Sequence, residues 1–262
     1  MVEHTYEESI KRRDDISFFL LFAKAFINKE NHNGGKLNKD NSKWFVKYSG
    51  EVFISLMKVD EIQREIELVL SRLGVKYDTI FFKTYGREEL KISLKYYLIS
   101  WSTLRELTLY TISCVLELGL AERDVNYDLL LRNKHFKNTK LPEIFEKHKK
   151  ILNIRKTSNN RNKVIHEGML DDNDLEALNT KYAELHSRRN LLFTPEINIS
   201  DEDYKEAEQK LNTELVELCK AKKIEYEKHY NQTIAMLNDI AYELAFILSI
   251  KKNKKIQLTA TD

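Results

Sequence analysis

The sequence predicts a soluble, mainly α-helical protein. Only two prolines and seven glycines occur among 262 residues, so few residues interrupt long periodic segments, whereas a β architecture needs many turns. The composition, 42% apolar and 32% charged, is typical of a globular chain. No apolar run approaches the roughly 20 residues that span a bilayer, and the opening MVEHTYEESIKRRDD has no apolar signal core. We therefore expect an all-α, cytoplasmic protein without a membrane partner.

The N-terminal part of the chain predicts a helix, a loop and a second helix. Six apolar residues recur at helical spacing within residues 5–27: Ile16, Phe19, Leu20, Ala23, Phe26 and Ile27. The polar, glycine-containing stretch 28–43 indicates an exposed loop. Residues 44–55 fit either a short hairpin that turns at Ser49 and Gly50 or the start of a helix over 52–73. We favour the helix, because Gly74 is a suitable stop.

The central part predicts a long core helix and then two shorter ones. Eight apolar residues form a helical stripe from Arg87 onwards: Leu90, Leu94, Tyr97, Trp101, Leu104, Ile112, Val115 and Leu118. Gly119 follows as a stop signal. Pro142 suits the first turn of the next helix, whose apolar face continues to Leu152. Ser158, Asn159 and Asn160 are favourable N-cap residues, so a further helix is expected to begin at or near Arg161.

The C-terminal part predicts a long helical segment from Asp201 to Ile250. Two apolar stripes mark it: Leu211, Leu215 and Leu218, and then Tyr226, Tyr230, Leu237, Leu244 and Leu248. The phase between the stripes slips at 220–224, which predicts a kink or a break there. Both tyrosines are expected to pack in the core, because they lie on the apolar stripe. Cys114 and Cys219 stand alone and are expected to be small buried residues.

Positive charge is concentrated in residues 132–163. This segment holds eleven lysines and arginines against Glu143 and Glu146, a net charge of +9, although the whole chain carries only +2. Such a run is either a solvated face or a phosphate-binding surface. The RNA-binding candidates are six cations: Lys147, Lys149, Lys150, Arg155, Lys156 and Lys163. His135 and His148 flank the run, and for each we favour a lone surface histidine over an RNA contact.

The stretch TSNNRNKVIHEG, residues 157–168, combines Arg161, Asn162 and His166. Residues four apart share a helix face, so Asn162 and His166 would stack, and Arg161 is long enough to converge on them. A helix start adds unpaired N–H groups that favour an anion. An arginine grips phosphate oxygens bidentately, and nearby positive charge favours a histidine that is neutral near pH 7. These residues therefore suit acid–base chemistry at a phosphate.

The hexapeptide RNKVIH resembles the Arg-Asn-x-x-x-His motif of the HEPN superfamily, α-helical proteins many of which are metal-independent ribonucleases in toxin, antiviral and RNA-processing systems. The resemblance implies a four-helix core, the motif at the start of a late core helix, and a homodimer whose two motifs face one cleft. Arg161 would then stabilise charge at the phosphate and His166 would be the general acid or base, with Asn162 as the polar residue after the arginine. An antitoxin or a regulatory protein would be a further partner.

The resemblance divides the chain into an N-terminal helical region (1–85) and a HEPN-like bundle with the motif (86–252). The polar, terminal stretch 253–262 is expected to be a frayed tail. The resemblance covers only the hexapeptide and the helical layout, not residues 1–85. The pairs Arg132–Asn133 and Arg189–Asn190 are an internal control, because neither is followed by histidine at the fifth position after the arginine.

The sequence lacks the motifs that other catalytic mechanisms require. HEGML has no second histidine for a zinc protease motif, and no glycine-rich phosphate loop is present. We therefore expect neither metal nor cofactor. Two hypotheses remain: an RNA endonuclease that uses Arg161 and His166, and a non-catalytic helical module that binds nucleic acid or a protein partner through the basic segment.

Overall fold

The computed structural model describes residues 39–73, 77, 79–151, 164, 170, 172–190 and 199–259. Within them, 87% of residues are helical and none is in a strand, which confirms the all-α class. Seven α-helices lie in these ranges: α1 (Lys39–Arg72), α2 (Ile80–Leu116), α3 (Tyr127–Arg132), α4 (Lys134–Lys137), α5 (Leu141–Lys147), α6 (Asn173–Asn190) and α7 (Asp201–Thr259). The apolar pattern at 16–27 lies outside the described residues.

Helix α1 settles the ambiguity at residues 44–55 in favour of a helix. It begins at Lys39, so the loop predicted for 28–43 is wrong over 39–43, and the rest of that loop lies outside the described residues. Helix α2 begins at Ile80, seven residues before the predicted Arg87, and the Thr79 hydroxyl accepts a hydrogen bond from Phe82 N at 3.2 Å. The helix ends before Glu117 and Gly119, which both have positive φ angles, of 56° and 68°.

Helix α7 runs without interruption from Asp201 to Thr259. The prediction of a kink or a break at 220–224 is therefore wrong as to the break, while a kink there stays a prediction. Residues 253–259 belong to the same helix. Within residues 201–251, an 18-residue window has a mean hydropathy of 1.5, and half of that window is buried in the protein. Length and composition of this kind are shared by membrane-spanning helices and by the core helices of soluble proteins, so the window alone does not distinguish them.

The chain divides into two compact units. Unit 1 comprises Met1–Arg64, Ser102–Asn153 and Asn231–Asp262, and unit 2 comprises Glu65–Trp101 and Ile154–Tyr230. Helices α1, α2 and α7 each contribute residues to both units. The division at residues 85 and 86 that the resemblance implies stays a prediction.

The core of unit 1 is aliphatic and aromatic. Its least exposed side chains come from six helices: Val52, Val59, Leu104, Ile112, Leu130, Phe136, Leu141, Phe145 and Ile240. Tyr48 of α1 donates a hydrogen bond to the Val115 carbonyl at 2.9 Å, and Lys251 Nζ lies 5.3 Å from the centre of the Tyr48 ring. Burial raises the pKa of Tyr48, so this phenol stays a neutral donor.

The core of unit 2 contains more polar aromatic side chains. Its buried residues include Ile66, Leu90, Leu94, Tyr97, Trp101, Leu175, Tyr182, Tyr204 and Leu215. Gly86 of α2 is buried here, and a Cβ atom at this position would lie 3.0 Å from the Phe82 ring and 3.1 Å from Leu215 Cδ2. A glycine inside a helix is costly by itself, but here it permits the close approach of α2 and α7.

The two cysteines differ in exposure. Cys219 is buried, as expected, and burial raises the pKa of its thiol to about 12. Cys114 is only partly buried, and burial raises the pKa of its thiol as well. Neither thiol has the lowered pKa that nucleophilic cysteines need.

Candidate nucleic-acid interface

The motif residues Arg161, Asn162 and His166 lie outside the described residues, so their mutual geometry stays a prediction. The same holds for the RNA-binding candidates Arg155, Lys156 and Lys163 and for the helix expected to begin near Arg161. Two apolar neighbours of the motif are described: Val164, inside it, is 6% exposed and Leu170, four residues after His166, is 8% exposed. Both side chains are thus part of the core.

The described part of the basic segment, residues 132–151, contains the last residue of α3 and the short helices α4 and α5. Asparagine side chains begin the first two: Asn126 accepts a hydrogen bond from Leu129 N, and Asn133 accepts from His135 N and Phe136 N. Pro142 lies in the first turn of α5, as the sequence predicts. That helix ends at Lys147 rather than continuing to Leu152, and His148 caps it. The asparagine side chains therefore accept hydrogen bonds from backbone N–H groups in the first turns of α3 and α4, which stabilises helices in this polar stretch.

An aromatic cluster supports these three helices. The Tyr127 and Phe145 rings are stacked, with centroids 5.5 Å apart and planes at 13°. Phe136 and Phe145 lie 5.3 Å apart at 60°. Both phenylalanines are fully buried, so the helices share one apolar base and leave their lysines outside it.

Two acidic residues of α7, Asp239 and Glu243, attach this segment to the rest of unit 1. Asp239 Oδ2 lies 2.7 Å from Lys147 Nζ and 2.7 Å from His148 Nε2. One helical turn later, Glu243 Oε1 accepts a hydrogen bond of 3.0 Å from Lys140 N. The hydrogen bonds from His148 and Lys147 lower the pKa of Asp239, so the carboxylate is ionised at neutral pH.

The structure separates the cations of the basic segment into paired and unpaired groups. Lys147 is paired with Asp239, and Lys149 Nζ lies 2.9 Å from Glu146 Oε1. Among the described residues, no ion pair involves the other five, which are all exposed: Arg132, Lys134, Lys137, Lys140 and Lys150. We call these five residues the basic surface. Of the predicted RNA-binding lysines, only Lys150 belongs to it.

The two histidines of this segment differ. His135 is exposed, as predicted. His148 is not a surface residue: its side chain is only 12% exposed and its ring is held by Asp239. The prediction for His148 is therefore wrong, because the acidic partner comes from α7, 91 residues away in sequence, and no local pattern indicates it.

Unit 2 contains a further histidine, His229, whose packing against aromatic side chains was not predicted from the sequence. Tyr97 Oη lies 2.7 Å from His229 Nδ1 and donates to the Tyr226 carbonyl at 3.2 Å. The Trp101 ring centroid lies 5.0 Å from that of His229. Burial lowers the pKa of His229 and raises that of Tyr226 to about 12. Both groups are therefore neutral at physiological pH, and their arrangement is that of a packed core.

Metal-ligating chemistry is not indicated in the part of the chain that the structure describes, where no group of three or more His, Cys, Asp or Glu side chains could hold an ion. No protein-family model, curated protein or solved structure matches the chain. The resemblance to the HEPN superfamily therefore depends on the motif residues themselves.

Proposed function

We propose that this protein is a metal-independent RNA endonuclease of the HEPN type, acting through Arg161 and His166. The observation that carries the proposal is the complete Arg-Asn-x-x-x-His pattern at residues 161–166 in a chain whose described part is entirely helical or irregular. The five unpaired, exposed cations of the basic surface support an anionic polymer as the substrate.

The proposed reaction uses the nucleophile that RNA itself carries. The 2′-hydroxyl oxygen attacks the adjacent phosphorus as its proton is removed, and the bond from phosphorus to the 5′-oxygen breaks as that oxygen gains a proton. The products are a 2′,3′-cyclic phosphate and a 5′-hydroxyl. His166 removes the first proton or supplies the second. Arg161 stabilises the negative charge that builds on the phosphate oxygens, and Asn162 orients the His166 ring or holds a substrate oxygen.

The substrate would be held mainly by contacts outside the reacting atoms. Lys and Arg side chains bind phosphates without reading the base sequence, so the basic surface supplies affinity rather than sequence preference. A homodimer would bring two copies of the motif to one cleft, as the resemblance implies. An antitoxin or regulatory protein would act by covering that cleft.

The test is cleavage of a labelled RNA by the wild-type chain and by two matched variants, with identification of the product ends. His166→Ala should lower the rate by about 10²- to 10⁴-fold with little loss of binding. His135→Ala, the same substitution at an exposed histidine of α4, should leave the rate unchanged. Equal rates in all three proteins would contradict the proposal.

A non-catalytic helical module that binds nucleic acid is the second candidate, and the basic surface favours it equally. It predicts RNA binding by the wild-type chain without any cleavage. It also predicts that Arg161→Ala weakens binding no more than the loss of any single lysine, whereas the endonuclease predicts loss of both binding and rate.

A further inference from the structure

Two large aromatic side chains are exposed on α7, in the part of the helix that belongs to unit 1. Tyr242 is 67% exposed and Phe246 is 57% exposed. The opposite face of the helix, with Leu237, Ile240 and Leu244, is buried in the core, so the two rings project from a fixed backbone. A single exposed apolar side chain is ordinary, but two rings one helical turn apart form a continuous apolar face.

This face of α7 is also free of exposed charge. The exposed residues between 231 and 250 are all uncharged: Asn231, Gln232, Ala235, Tyr242, Phe246, Ser249 and Ile250. The only charged residues in this range are Asp239, which is paired with Lys147, and Glu243, which is buried. The rings are therefore not flanked on α7 by an exposed, unpaired carboxylate that would repel a polyanion.

The two rings lie beside the contacts that attach the basic segment to α7. Asp239, which holds the end of α5, precedes Tyr242 by three residues. Glu243, which accepts a hydrogen bond of 3.0 Å from Lys140 N, precedes Phe246 by three residues. At about 100° of rotation per residue, these four side chains of α7 fall within an arc of about 100°. The aromatic face is therefore adjacent to the segment that carries the basic surface, and both belong to unit 1.

We infer that Tyr242 and Phe246 are a stacking platform for the bases of single-stranded RNA, beside the basic surface that binds its phosphates. Sites for single strands combine these two elements, because a cationic track holds the backbone while aromatic rings stack against the exposed faces of the bases. Bases in a duplex are already stacked on one another, so the platform selects single strands. Unpaired cations beside the rings favour a polyanion over a second copy of this chain, which would bring the same positive charge. The choice of RNA as the ligand rests on the proposed function, whereas the platform does not require cleavage.

The experiment compares removal of the rings with their retention. Tyr242→Ala, Phe246→Ala and the double variant remove one ring or both, whereas Tyr242→Phe keeps the ring and loses only its hydroxyl. Tyr96→Ala is the matched control, because Tyr96 is 60% exposed on α2, in unit 2. All three side chains are exposed, so none of these substitutions opens a cavity in the core.

The probe is a labelled 2′-O-methyl RNA strand of about 12 nucleotides, alone or paired with its complement. It has no free 2′-hydroxyl, so it resists the proposed cleavage and its fluorescence anisotropy reports binding alone. Affinity for the single strand should fall at least about fivefold in each single alanine variant of the platform and about tenfold or more in the double variant. Tyr242→Phe and Tyr96→Ala should match the wild type. Affinity for the duplex and the salt slope should stay unchanged throughout, because the phosphate contacts remain.

Wild-type affinity for the single strand in the double variant would overturn the inference, and so would an equal loss for strand and duplex or a wild type that does not bind the strand. A double variant that keeps its RNA affinity but loses binding to vesicles of phosphatidylcholine and phosphatidylserine, or loses self-association, would assign the face to a membrane or to a second copy instead. Ring-dependent binding in a protein that cleaves no unmodified RNA would support the platform and contradict the proposed function. Cleavage of unmodified RNA, with binding and rate unchanged in the double variant, would contradict the platform and leave the proposed function intact.

Discussion

His148 Nε2 lies 2.7 Å from Oδ2 of Asp239, and the same oxygen contacts Lys147 Nζ at 2.7 Å. A single carboxylate of α7 thus holds the end of α5. This contact pairs Lys147, one of the predicted RNA-binding cations, whereas the five cations of the basic surface are exposed.

Replacement of Asp239 by Asn should destabilise unit 1. Hydrogen bonds to a charged group contribute about 1.5–3 kcal/mol, so a loss of that order is expected in urea unfolding at pH 7. Because the folded pKa of Asp239 is lowered from 3.8, its contribution is present above pH 3.8 and is lost as the pH falls through the folded value. The wild type and the variant should therefore converge in strong acid, and a constant difference down to pH 2 would refute this account.

The unpaired cations should dominate RNA binding. Substitution of Lys134, Lys137 and Lys150 by Gln should weaken binding to single-stranded RNA and reduce the slope of log K against log salt by about 2. Fluorescence anisotropy at several salt concentrations measures both quantities. Lys58→Gln is the control, since Lys58 is already paired with Glu122 at 2.6 Å, and it should change little. A salt slope that is the same in all three proteins would remove the basic surface from the account.

The environment of His229 makes stability depend on pH. Its folded pKa is lowered from 6.5 by burial, so the unfolded chain binds a proton that the folded chain does not. The free energy of unfolding should therefore decrease as the pH falls below 6.5. In His229→Gln this decrease should become shallower between pH 7 and pH 5, as chemical denaturation at each pH would reveal. An identical pH dependence in the two proteins would mean that folding does not lower the pKa of His229.

The proposed cleft requires two chains, since one motif supplies a single arginine and a single histidine. A twofold axis would place the motif against its own copy. Sedimentation velocity over micromolar concentrations should therefore detect a dimer. A monomer at every concentration would count against the composite cleft.

Helical periodicity predicted the core more successfully than it predicted the polar contacts. The stripe from Leu90 to Val115 is buried in α2, as expected, because a period of 3.6 residues records one face of a helix. The same method predicted a kink or a break at 220–224, yet the helix is unbroken there, and Lys222, which is polar in sequence, is buried in the fold. Its partner Asp172 lies 50 residues away, and neither composition nor spacing reveals such a pairing. The Asp239 attachment was missed for the same reason, whereas Tyr230 is buried as predicted.

The most direct test of the account is RNA cleavage in excess chelator, with a parallel substrate that carries a single 2′-deoxy nucleotide at the cut site. The account predicts that chelator leaves the rate unchanged, that the products end in a 2′,3′-cyclic phosphate and a 5′-hydroxyl, and that the deoxy substrate resists cleavage, because its nucleophile is missing. Activity that disappears with chelator or survives the deoxy substitution would contradict it.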